Sequence, residues 1–149
     1  MLTDSATPLP TQPPPLRLCV PNVLASVETA RQAVRSYLEG AAISPRAMFR
    51  LELVLEESLM NRVWHAFPQG GTHDIELQLS LQPDTLALCV EDEGIAFDPL
   101  QAPPRQTAAT LAETEPGGLG LLLTRRSALS CAYERRDGRN RFTAILSRQ

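Results

Sequence analysis

The chain has 149 residues, of which 43% are hydrophobic and 21% charged, and a formal net charge of −3; this suits one domain with a real core and no general affinity for nucleic acid or an anionic membrane. All 14 basic residues are arginine, which excludes a P-loop lysine, a Schiff base and a kinase-type strand lysine. No apolar run approaches the roughly 18 residues of a membrane span and no signal peptide opens the chain, so a cytoplasmic protein is expected.

Residues 1–15 carry five of the 13 prolines and no periodicity, which predicts a flexible tail ahead of a domain over 16–149. Leu16 to Val20 alternates as a first strand, ended by Pro21. Asn22 is the expected cap of a first helix running to about Glu39, with Val23, Val27, Ala30 and Val34 as its apolar stripe and Gly40 as its stop. Ser44-Pro45 opens a second helix, cap outside and proline in the first turn. That helix runs to Phe67 as LELVLEESLMNRVWHAF and is apolar around most of its circumference, with its solvated edge near Glu52 and Glu56.

Ile75, Leu77, Leu79 and Leu81 alternate with polar residues, as do Leu86, Leu88 and Val90 after a Pro83-Asp84 turn. This period of two predicts an antiparallel hairpin with one packed face. An acidic turn, Glu91 to Gly94, follows, then a proline-rich loop expected to be a lid over about 96–117. Gly117-Gly118-Leu119-Gly120 leads into a third helix reaching about Ser130. Two strands around Asp137-Gly138 close the chain. The fold class is α+β, with helices on one face of a mixed, mostly antiparallel sheet. Cys19, Cys89 and Cys131 have no disulfide or zinc spacing and read as small core residues.

Three constellations could carry chemistry. Glu57 and Asn61 stand one turn apart, about 40° from each other around the second helix, on an apolar flank where an unpaired carboxylate and amide are costly. An amide oxygen suits Mg²⁺, and a nearby carboxylate can take a proton from a hydroxyl attacking a phosphate. Taken alone, such a pair is equally an ordinary polar pair. Asp92-Glu93-Gly94-Ile95-Ala96 follows a strand; Asp92 could accept from an exocyclic amine while Gly94 admits a flat ring close to the backbone, or the segment is a plain turn. The glycines at 117, 118 and 120 could present backbone N–H groups and a helix N-terminus to polyphosphate, or serve as a loop end.

In this order and spacing the three segments resemble the N box and two glycine boxes of the histidine-kinase-like ATPase (GHKL) superfamily, over roughly 16–147. Within it, the compact N box ending His65-Ala66-Phe67 and the Phe97-Asp98-Pro99 that follows the first glycine box look like the anti-sigma-factor serine/threonine kinases. The resemblance implies a two-layer α/β sandwich, ATP and Mg²⁺ as ligands, and phosphorylation of a STAS-domain anti-anti-sigma factor. It also implies capture of a sigma factor or other regulated target, and dimerisation is common among such proteins. By position, Glu57 resembles the catalytic base and Asn61 the metal ligand. Asp92, Gly94 and Ala96 would surround adenine, while Gly118, Leu119 and Gly120 would line the phosphates. Ala96 departs from the glycine of the pattern. Without lysine, a γ-phosphate contact falls to Arg105, Arg125 or Arg126. His65 reads as a packing or hydrogen-bonding residue.

Two other readings compete. A nucleotide-dependent sequestering module would keep the fold and lack transfer. A sensor histidine kinase would need a dimerising phosphoacceptor helix pair before the N box, for which the chain has no room.

Overall fold

The computed structural model describes residues 12–100 and 126–149. In chain order these form β1 (Leu16–Pro21), α1 (Ala25–Tyr37), α2 (Pro45–Asn61), a π-helical turn (Arg62–Ala66), β2 (Asp74–Leu81), β3 (Thr85–Asp92), β4 (Ser130–Arg136) and β5 (Arg139–Ser147). The strands make one sheet in the order β1-β2-β3-β5-β4. Every pairing is antiparallel, so the parallel component allowed for by the expected mixed sheet does not occur among the described residues.

The alternation read in the sequence sets the faces. Leu16, Leu18 and Val20 pair with Leu79, Leu77 and Ile75, and Leu79 and Leu77 pair onward with Leu88 and Val90. Phe142, Ala144 and Leu146 continue the same surface on β5. Successive side chains of a strand alternate faces, so this one surface is apolar across four strands. Helix α2 covers its centre with Leu51, Val54, Leu55 and Leu59, all fully buried, each burial contributing roughly 1.5–3 kcal/mol. The same parity turns Cys19 and Cys89 to the opposite face, where Cys19 is exposed and Cys89 partly so; neither is the core residue expected. Cys131 does pack against the core.

Local chemistry explains the element ends. Ser44 accepts from the Ala47 N–H at 3.0 Å and caps α2, with Pro45 in the first turn. Asn22 caps nothing: α1 begins after Leu24, without a side-chain cap. Asn22 instead clamps the loop before β2, accepting from His73 N at 2.8 Å and donating to Gly71 O at 3.2 Å. Glu52, expected at a solvated edge, turns toward α1 and pairs with Arg35 and Arg31. Tyr37 holds the tail by donating to Pro14 O at 2.9 Å. Asp137 and Gly138 both have positive φ, 52° and 76°, the mirror-image turn that matches strand twist in a tight hairpin. No helix among the described residues is long and apolar enough to cross a membrane.

Candidate functional site

The expected second helix does not reach Phe67 as one α-helix. At Arg62 the backbone N–H bonds Leu59 O, three residues back, and the chain passes into the π-helical turn, a local widening found often at functional sites. The Ser58 carbonyl accepts from the guanidinium of Arg62 itself, Nη1 at 2.8 Å. Nη2 reaches Val90 O at 3.3 Å. Nε lies 2.9 Å from Asp92 Oδ2, with its N–H not aimed at that oxygen. Arg62 thus ties the end of α2 to the end of β3 through a buried ion pair. Burial lowers the Arg62 pKa, and Asp92 opposes that shift.

Asp92 ends β3 on the inward face and is almost fully enclosed. Its Oδ1 accepts from Gly94 N at 2.8 Å and from Asn140 Nδ2 at 3.0 Å. Asn140 also donates to Ile95 O at 2.8 Å. Its own Oδ1 accepts from the Tyr133 hydroxyl at 2.5 Å and Arg135 Nη1 at 3.1 Å. Arg135 Nη1 further bonds Gly94 O at 2.8 Å. A buried network with its partners in place is rigid, because each group left unpaired would carry a desolvation cost. The acidic neighbours of Asp92 are neutralised from outside: Arg139 lies 2.9 Å from both Glu76 and Glu93 and 3.3 Å from Glu91.

Gly94 is required by a close packing contact. A Cβ there would lie 2.4 Å from Ala66 O and 2.7 Å from Ala66 Cβ, so the glycine admits the π-helical turn. Ile95 N completes the contact by donating to Ala66 O at 2.9 Å.

Asn61 and Asp92 line one small void together with Arg62, Ala66, Phe97, Pro99 and Asn140. Its volume is about 10 Å³, room for roughly one water. Phe97 and Pro99 are the lining residues on irregular backbone. Phe97 also faces His65, ring centroids 6.1 Å apart. Glu57 stands one turn before Asn61. Its Oε2 is buried with no partner among the described residues, and burial, helped by Glu56, raises its pKa. Trp64, in the π-helical turn, is 51% exposed.

Ala96 is exposed and does not line the void. Gly118, Leu119 and Gly120 lie outside the described residues, as do Arg105, Arg125 and most of the expected lid. Arg126 is described and exposed. A larger groove of about 390 Å³ lies on the opposite face of the sheet, between Arg17, Glu76, Gln78, Glu91 and Arg141, and gathers none of the expected residues. Sequence reasoning missed Arg62, Tyr133, Arg135 and Asn140. Asn140 carried a signal: it shares the inward parity of Phe142, Ala144 and Leu146.

Similarity to known proteins covers the same span. The histidine kinase-like ATPase domain family matches residues 20–146. The serine/threonine-protein kinase BtrW of Bordetella bronchiseptica is 40% identical over 100 residues, 67% of this chain and 70% of that protein. The RsbU and RsbW domains of Rv1364c from Mycobacterium tuberculosis give a TM-score of 0.63 at 15% identity, over 91% of this chain and 32% of that one, so this chain spans about a third of that structure. The SiaB–SiaC complex from Pseudomonas aeruginosa gives 0.55 at 18% identity, over 87% and 88%. At such identities the two structures speak for the fold alone. The five-stranded sheet under α1 and α2, the matched family span and the serine/threonine-protein kinase relative together place this chain in the histidine kinase-like ATPase family.

Proposed function

We propose that this protein binds ATP with Mg²⁺ and transfers the γ-phosphoryl group to a serine or threonine of a STAS-domain anti-anti-sigma factor, in the cytoplasm. When that partner is unavailable it captures a sigma factor or another regulated target. The observation that carries the reading is the buried, unpartnered Oε2 of Glu57, one turn from Asn61. A carboxylate with a raised pKa is a stronger base than an ordinary one, which supports Glu57 as the group that would take the hydroxyl proton.

The residues fit the ligand. Asn61 would offer one amide oxygen to Mg²⁺, whose other ligands would be phosphate and water, as is usual for this ion. Asp92 would accept the adenine amine, with Gly94 and Ala96 in the turn beside it. Gly118, Leu119 and Gly120 would meet the phosphates with backbone N–H groups. Bound ATP·Mg²⁺ supplies the transferred group and offsets its developing charge. Family membership supports recognition of a protein partner; SiaB was itself solved with one, SiaC.

The test is transfer from labelled ATP to a STAS partner by wild type and Glu57→Ala. Loss of transfer with ATP binding retained is expected, and unchanged transfer removes Glu57 from this role. A second reading is a sequestering module without transfer, nucleotide-dependent or even nucleotide-free; the void of about 10 Å³ beside Asp92 favours the nucleotide-free form. Calorimetry with ATP and Mg²⁺ tests binding, whose absence ends the kinase reading, and a module that binds ATP is told from a kinase by the transfer assay.

A further inference from the structure

Arg62 sits between the expected metal ligand and the expected base-recognition residue, and no role in nucleotide binding has been given to it. Its guanidinium is spent on protein acceptors: Ser58 O, Val90 O and the Asp92 carboxylate. An ionised carboxylate offers about four lone-pair sites. Gly94 N and Asn140 Nδ2 take two on Oδ1, and Arg62 Nε stands against Oδ2. The Arg62 Nε–H is not aimed at Oδ2, so acceptor capacity remains on that oxygen. Arg62 borders the same void as Asp92.

An aspartate this enclosed carries a large desolvation cost unless it is paired, and as a carboxylate it is an acceptor only. The charged groups around it are few: Arg62 from the π-helical turn and Arg135 from β4, which bonds Asn140 and Gly94 O rather than Asp92. Arg62 is the cation in direct contact.

We propose that Arg62 is a positioning residue for base specificity: by pairing with Asp92 it fixes the carboxylate as a pure acceptor, so that the pocket takes a base edge bearing an amine and rejects one bearing a carbonyl. The proposal rests on the nucleotide-binding reading of the site. It gives the buried ion pair a function beyond tying α2 to β3, and it assigns selectivity to a side chain that never touches the base.

The experiment is calorimetric titration of the full chain, with Mg²⁺, against ATP and against inosine triphosphate, which carries a carbonyl where adenine has its amine. Wild type should prefer ATP by at least roughly tenfold, because a carboxylate facing a carbonyl leaves two acceptors opposed. Arg62→Gln keeps a polar side chain without the charge and should bring the two affinities within about threefold of each other. Arg62→Lys should restore most of the preference. The double variant Arg62→Met with Asp92→Asn removes both charges, the change a buried pair tolerates best, and should lose the preference while remaining folded by circular dichroism. Equal weakening of both nucleotides in Arg62→Gln, with the ratio kept, would show a purely structural tie and overturn the proposal. Equal affinities in wild type would overturn it too and leave nucleotide binding standing. Binding of neither nucleotide by wild type would overturn the nucleotide reading itself, and this proposal with it.

Discussion

Gly94 packs so closely on Ala66 that a Cβ would lie 2.4 Å from the Ala66 carbonyl oxygen. The turn after β3 and the turn after α2 are thereby locked in contact, and Asn61 and Asp92 are held on either side of one void. Gly94→Ala should therefore destabilise the fold by about 1–3 kcal/mol, since the obstacle is backbone and cannot rotate away. Urea unfolding measures the loss, and ATP affinity should fall with it.

Asn140 is the hub of the polar network around Asp92. Asn140→Ala would strip a donor from Asp92 and from Ile95 O, and an acceptor from Tyr133 and Arg135. Buried groups left unpaired in this way cost roughly 1–3 kcal/mol each, so a loss of about 2–4 kcal/mol is expected in the midpoint of chemical unfolding. Asn140→Asp should be worse than an isosteric change suggests, because it sets a second carboxylate beside Asp92.

Glu52 and Glu57 push stability in opposite directions with pH. Hydrogen bonding to Arg35 holds Glu52 below the usual carboxylate range. Its contribution is present above the unfolded value of about 4.3 and is lost as pH falls through the lowered folded value. Burial raises Glu57, so its contribution is full below about 4.3 and disappears as pH rises through the raised folded value. Glu57→Gln should then melt about 1–3 °C above wild type at pH 8, with the difference vanishing in acid. Glu52→Gln should melt below wild type at pH 8 and approach it in acid. Thermal melts across pH 4–8 check both.

The stabilised Glu57→Gln should at the same time be a poor kinase. Removing a general base typically costs about 10²–10⁴-fold, and single-turnover transfer with saturating ATP measures it. A gain in stability joined to a loss of transfer is the signature of a functional strain at this position. Loss of stability in Glu57→Gln would show instead that the carboxylate has a structural partner.

Ser44→Ala tests the fold far from the site. Loss of the hydrogen bond from Ala47 N to Ser44 Oγ should cost about 1 kcal/mol. ATP affinity and transfer should stay within twofold of wild type under conditions where the protein is folded, and a larger change in either would show that the start of α2 couples to its far end.

By itself the sequence determined the elements and their faces. Alternation in β1, β2 and β3 and the Ser44-Pro45 helix start are local signals, set by the pleat and by backbone hydrogen-bond needs, and they hold whatever the rest of the chain does. The glycine and N boxes, read in order, were enough to reach the family. Only the tertiary structure decided what each site residue touches. Asn22 caps nothing because the loop before β2, 51 residues away, takes its side chain. Gly94 answers to Ala66, 28 positions earlier, and Asp92 to Arg62 and Asn140 from the π-helical turn and β5. Such pairings join segments distant in the chain, and no periodicity records them. Arg62 shows the limit most clearly: beside Asn61 it reads as one more helix charge, and only the approach of β3 makes it the counter-ion of the buried carboxylate.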